Sequence, residues 1–122
     1  MARPMFCACV LGLFASAALA AGDPSRGRMV FAQCQQCHSA DRNGGNGLGP
    51  NLFGVVGRKA ASLPDFYYSP ALKNAHITWT EPMLKKWVSG PQKLVPGTRM
   101  MFSGLTRPQD IDDVVAFLKT RK

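Results

Sequence analysis

The chain has 122 residues, with 15 Lys and Arg against 7 Asp and Glu, a formal net charge of +8 at neutral pH. That length makes one domain. The positive balance suits partners with acidic surfaces, and the lack of any basic run interleaved with aromatics excludes a nucleic-acid-binding strip.

Arg3 gives a positive start, Phe6 to Leu19 an apolar stretch, and Ala18-Leu19-Ala20 a small-residue cleavage site. This is the pattern of a secretory signal peptide. The apolar run is too short and too rich in alanine for a membrane span. We therefore expect residues 1–20 to be removed on export to the periplasm or an equivalent compartment, leaving one domain over 21–122. Cys7 and Cys9 go with the leader, so Cys34 and Cys37 are the remaining thiols.

Asp23-Pro24 opens the first expected helix, with Asp23 as N-cap and Pro24 in its first position. Met29, Val30 and Phe31 are expected core contacts, and Gly27 a point of close approach for another helix.

Next comes Cys34-Gln35-Gln36-Cys37-His38, the attachment pattern of a c-type haem. Each thiol can form a thioether to one porphyrin vinyl group, and the adjacent histidine is then held beneath the iron as a ligand. Three other uses of the pair fit less well. A thioredoxin-like redox pair expects a βαβ setting, and no strand-rich run is present. A zinc site needs four ligands, and only His76 remains as a further soft ligand. A disulfide closing so small a loop would stabilise weakly.

Asn43 to Gly49 carries too many glycines for a helix or strand and is expected to be a loop. It is not a phosphate cradle, because no Lys-Ser/Thr follows and no strand precedes. Ser69-Pro70 opens a short helix to about Asn74. Thr80-Glu81-Pro82 opens another, carrying Met83, Leu84, Trp87 and Val88, and Gly90-Pro91 stops it. Pro91 to Arg99 is expected to be an irregular, stiff loop. In the last helix Thr106 and Gln109 form an expected capping box, and Ile111, Val114, Val115 and Leu118 mark one buried face. Acidic residues 110, 112 and 113 and basic residues 119, 121 and 122 lie where the helix dipole favours them.

An iron held by His38 needs a group on its other side. Of six methionines, Met1 and Met5 belong to the leader, Met29 lies on a rigid helix close to His38, and Met83 has the spacing of a core residue. Met100 and Met101 follow the stiff loop, and the residues alone do not separate them. His76 is the rival, and an exposed histidine is the simpler reading of it.

With these residues assembled, the chain resembles a small class I cytochrome c of the mitochondrial and bacterial type. The resemblance spans nearly all of 21–122. It includes Gly27 and Phe31, the haem motif, Gly49-Pro50-Asn51-Leu52, Gly57-Arg58-Lys59, Ile77-Thr78-Trp79, and Pro96-Gly97-Thr98-Arg99-Met100 before Phe102. It implies an all-α fold of three to five helices wrapped around one covalent haem c. It implies Met100 as the axial ligand opposite His38, with Met101 a packing residue. It implies that the Pro50 carbonyl accepts a hydrogen bond from His38, and that Arg58, Tyr68 and Trp79 bond the haem propionates, with Phe102 over the haem edge. The chain departs from the pattern at Trp87, Leu72 and Gln92, where relatives often carry tyrosine, asparagine and lysine.

The function so implied is one-electron transport between redox proteins by a soluble monomer. Lys59, Lys93, Arg99 and Arg107 would steer acidic partners to the haem edge. The alternative is a small haem protein with a vacant or labile sixth site doing peroxide chemistry, and a scaffolding role is a third reading.

Overall fold

The structure, a computed structural model, describes residues 21–122 together with Met1, Ala2, Pro4 and Gly12. The expected leader, 1–20, otherwise lies outside the described residues. Five helices follow in chain order: α1 (Pro24–Phe31), α2 (Pro70–Lys73), α3 (Glu81–Ser89), α4 (Pro91–Leu94) and α5 (Pro108–Lys119). One 3₁₀ turn, Ala32–Cys34, extends α1. The extended pairing among the described residues is a single bridge between Lys59 and Thr78. This is the expected all-α class. No described helix is long and apolar enough to cross a membrane.

Local chemistry sets the helix starts. Asp23, Ser69 and Thr80 each cap a helix through a side-chain oxygen, and proline stands in the first turn behind each of them. The last helix departs from the expected capping box. It begins at Pro108 behind Arg107, with no side-chain cap, and the Gln109 amide donates instead to Asp113 Oδ1 at 2.8 Å. The buried carboxylate has the stronger need for a donor. The expected irregular loop after Gly90 is also shorter than the sequence suggests. Its first four residues form α4, because Pro91 is pre-set for a helical turn whose bond is closed by the Val95 amide on the Pro91 carbonyl at 2.9 Å.

Crossing of α1 and α5 brings together the first and last helices of the described residues. Gly27 permits it: a Cβ there would stand 1.9 Å from the Asp113 carbonyl oxygen. Phe31 packs against Phe117, the rings tilted by 45° with centroids 5.2 Å apart. Phe31, Val114, Val115, Phe117 and Leu118 are all buried here. Met29 is not a core residue as expected; it is 76% exposed. Gly27 and Phe31, one turn apart, define the buried stripe, and Met29 lies off it.

Asp113 is 1% exposed and tightly partnered. Its carboxylate accepts from the Asp23 amide at 2.7 Å, from Gln109 at 2.8 Å and from Arg26 Nε at 3.2 Å. Asp112 and Glu81 pair with Lys85 and Lys119 at 3.0 and 3.2 Å. The Asp23 amide bond, with smaller help from Gln109 and Arg26, holds the Asp113 carboxyl below the usual carboxylate range against the opposing effect of burial. A depressed folded-state value means that its contribution to stability is complete above the ordinary carboxylate value of about 4. That contribution is lost as pH falls through the lower folded value. Asp113→Asn is therefore expected to lower the thermal midpoint at neutral pH and to flatten the loss of stability below about pH 4. Melting curves from pH 2 to 7 that superimpose in shape on the unsubstituted protein would rule this out.

Candidate functional site

The haem motif follows directly from α1. After the 3₁₀ turn, the Cys37 and His38 amides donate to the Cys34 carbonyl at 3.1 and 2.9 Å, so the motif is one tight coil rather than a free loop. The glycine-rich segment then folds beneath it. The Gly49 amide donates to the Cys37 carbonyl at 2.9 Å, and the Leu52 amide to the Ser39 carbonyl at 2.7 Å. Gly49 lies against the imidazole so closely that a Cβ would stand 2.3 Å from His38 Cε1. The segment is pinned by Asn51, whose amide donates to Asn46 Oδ1 at 2.7 Å and whose side chain donates to the Asp41 carbonyl at 2.9 Å.

His38 Nδ1 lies 2.7 Å from the Pro50 carbonyl oxygen. That oxygen can only accept, so Nδ1 carries the hydrogen and Nε2 keeps its lone pair. Burial lowers the His38 pKa, outweighing the Pro50 bond that acts to raise it. The ring is therefore a neutral imidazole with one nitrogen ready to bind a metal. Burial, with a smaller contribution from Cys37, pushes the Cys34 thiol up to about 11. A thioredoxin-type nucleophile needs the opposite shift. No cluster of three or more metal-ligating His, Cys, Asp or Glu side chains exists among the described residues.

These residues border a cavity of about 500 Å³. Cys34, Cys37, His38, Pro50, Arg58, Tyr68, Trp79, Met100 and Phe102, the nine site residues expected from the sequence, all line it. Leu52, Val55, Leu72 and Trp87 supply further apolar wall. Trp79 and Trp87 pack with centroids 5.0 Å apart. A large flat apolar group fits the lining, with two thiols, an imidazole nitrogen and a thioether sulfur on its border.

Other placements refine the sequence expectations. Arg58 is half-buried and donates to the Phe53 and Asn51 carbonyls at 3.2 and 3.0 Å, which leaves three of its five donors uncommitted. Burial lowers its pKa, with Tyr68 acting in the opposite direction. The Tyr68 hydroxyl accepts from the Leu63 amide at 3.3 Å, which leaves its own hydrogen to donate. His76 is exposed, lies outside the cavity lining and has a left-handed backbone, φ +52°. Of the two neighbouring methionines, Met100 is half-buried while Met101 is 93% exposed at the cavity border. Arg107 is 3.9 Å from Asp110, a long and exposed pairing that leaves most of its charge to solvent.

Three features were missed in the sequence. Gly49 is a contact residue for the imidazole; its signal was a glycine immediately before Pro50, at a place where the chain must pass beneath a ring. Tyr67 carries two cations, with Arg99 Cζ 4.9 Å and Lys73 Nζ 5.0 Å from its ring centroid. Gln92 binds the backbone of the segment before Met100. Neither of these last two leaves a local pattern, because each joins segments brought together by the fold.

Comparison with known proteins agrees with this geometry. The family profile for cytochrome c matches residues 24–122. The chain is 48% identical to a cytochrome c2 of Rhodomicrobium vannielii over 109 residues, covering 89% of this chain and 87% of the relative. It is 45% identical to cytochrome c2 of Rhodoblastus acidophilus over 102 residues, covering 84% and 95%. Among solved structures, cytochrome cH from Methylobacterium extorquens superimposes with a TM-score of 0.77 at 44% identity, covering 81% of this chain and 99% of that one. Cytochromes of this kind are electron carriers, so the peroxide-chemistry alternative does not describe the chain. The chain belongs to the cytochrome c family, monohaem electron-transfer proteins whose cofactor is a covalently bound haem c.

Proposed function

We propose that this cytochrome is an exported, soluble, monomeric carrier whose haem is held by Cys34 and Cys37 and whose iron is ligated by His38 and Met100. The observation that carries the reading is the convergence of those four side chains on one apolar cavity. The haem iron supplies a one-electron couple, and methionine ligation raises its potential. Everything else is the work of the polypeptide. Pro50 fixes the His38 tautomer and orients the ring, the arrangement that strengthens a histidine ligand. Arg58, Tyr68 and Trp79 offer N–H and O–H donors for the propionates, offsetting the cost of taking carboxylates out of water. The aromatic and aliphatic walls exclude water, and Phe102 covers the edge. Held by His38 and Met100, a haem iron would change oxidation state with little rearrangement of the polypeptide.

Partners are redox proteins with acidic surfaces. Lys59, Lys93 and Arg99 have no carboxylate within ion-pair distance among the described residues. With Arg107 they are available to steer association, in encounters that are small and brief. The leader, residues 1–20, delivers the chain to the periplasm.

An optical spectrum of the exported protein in both oxidation states tests the ligand set. Met100→Leu is expected to abolish the methionine-to-iron charge-transfer band and to lower the potential; a spectrum untouched by the substitution would end the assignment. Gly49→Ala should drive a methyl group into the His38 ring, costing about 1–3 kcal/mol. The holoprotein would then melt at least ~5 °C lower, and an unchanged midpoint would argue against the contact. Association with a net-acidic redox protein should slow about ten-fold or more between low and high salt. A rate indifferent to ionic strength would remove the cationic face from the mechanism.

A further inference from the structure

Met100 sits just beyond a stretch of backbone that belongs to no helix. From Val95 to Met100 the chain makes one turn of its own, the Thr98 amide donating to the Val95 carbonyl at 3.1 Å, and Gly97 adopts a left-handed conformation, φ +90°. Two side chains from elsewhere hold that stretch. Gln92, on α4, donates from Nε2 to the Thr98 carbonyl at 2.5 Å and accepts from the Gly97 amide at 3.3 Å. One side-chain amide thus satisfies a backbone acceptor and a backbone donor on adjacent residues. The exposed ring of Tyr67 carries the Arg99 guanidinium at 4.9 Å.

Gln92 is itself on the surface, so burial does not explain the pairing. Its base is firm. Pro91 is buried beside it, and α3 behind it is tied to the later chain by the Leu105 amide on the Val88 carbonyl at 2.7 Å. A clamp with a fixed base and two bonds to residues 97 and 98 restricts where residue 100 can go.

We propose that Gln92 is a positioning residue for the axial methionine, and that Tyr67, through Arg99, is the second arm of the same clamp. The proposal rests on the reading of Met100 as an iron ligand. A net hydrogen bond is worth about five-fold in an equilibrium, so removing two raises the population of the detached loop about five- to twenty-five-fold. Loss of the cation–ring contact adds about two- to five-fold.

The test uses ferric holoprotein and cyanide, which takes the sixth position only when the methionine is off. Gln92→Ala should bind cyanide about five to twenty-five times faster than the unsubstituted protein and lose the methionine-to-iron band at a lower pH. Gln92→Glu keeps the acceptor for Gly97 but presents a carboxylate oxygen to the Thr98 carbonyl, so its rate should also rise at neutral pH. It should fall back as acidification restores an O–H donor. Tyr67→Ala should be faster and Tyr67→Phe should match the unsubstituted protein, since the ring and not the hydroxyl holds Arg99. Equal thermal midpoints in Gln92→Ala and the parent, with a raised cyanide rate, would separate positioning from general loss of stability. If the parent shows the band and Gln92→Ala binds cyanide at the parent rate, the clamp is overturned alone. If the parent lacks the band, the ligand assignment fails and takes the clamp with it.

Discussion

The chain is arranged around a largely apolar chamber of about 500 Å³, and the rest of the architecture serves to line it. The chamber wall is drawn from segments between Gln33 and Phe102: the haem motif, the glycine-rich segment, Arg58, the 66–72 stretch, Trp79, Trp87 and the Met100 loop. Short helices joined by pinned loops suit this task better than long helices. Each loop can present one group inward at an angle no continuous helix would allow. The price is borne by local hydrogen bonds such as those of Asn51 and Gln92, which fix backbone that has no ladder of its own.

Charge is distributed with the same division. Every acidic side chain among the described residues except Asp65 takes part in an ion pair, and most of those pairs lie on or beside α1 and α5. Lys59, Lys73 and Arg99 have no such neutralising partner among the described residues. Lys59 and Arg99 border the chamber, and Lys73 stacks on Tyr67, which borders it too. These cations beside the chamber are available to steer an acidic partner in solution.

The sequence was most legible where one short stretch carries its own chemistry. Cys34 to His38, the caps at Asp23, Ser69 and Thr80, and the buried stripe of α5 all declare themselves within a few residues. Legibility fell where a residue's role depends on a distant neighbour. Asp113 reads as one more acid near a helix start, yet it sits buried against the Asp23 amide and Arg26, from the opposite end of the chain. Gln109 looks like half of a capping box and is instead a donor to that carboxylate. Met29 looks like core because its neighbours are apolar, and it points away because a short helix buries a narrow stripe. Tyr67 and Gln92 offer no local pattern, since what they touch is fixed only once the fold has closed.

The crossing of the first and last helices has a bearing on the order of events in a cell. Gly27 and Phe31 rest on Asp113 and Phe117, which lie far along the chain from them. Until those residues are in place α1 has nothing to lie against and is too short to persist alone. Cys34 and Cys37, just beyond it, stay in open chain until the crossing forms, within reach of whatever joins them to their prosthetic group.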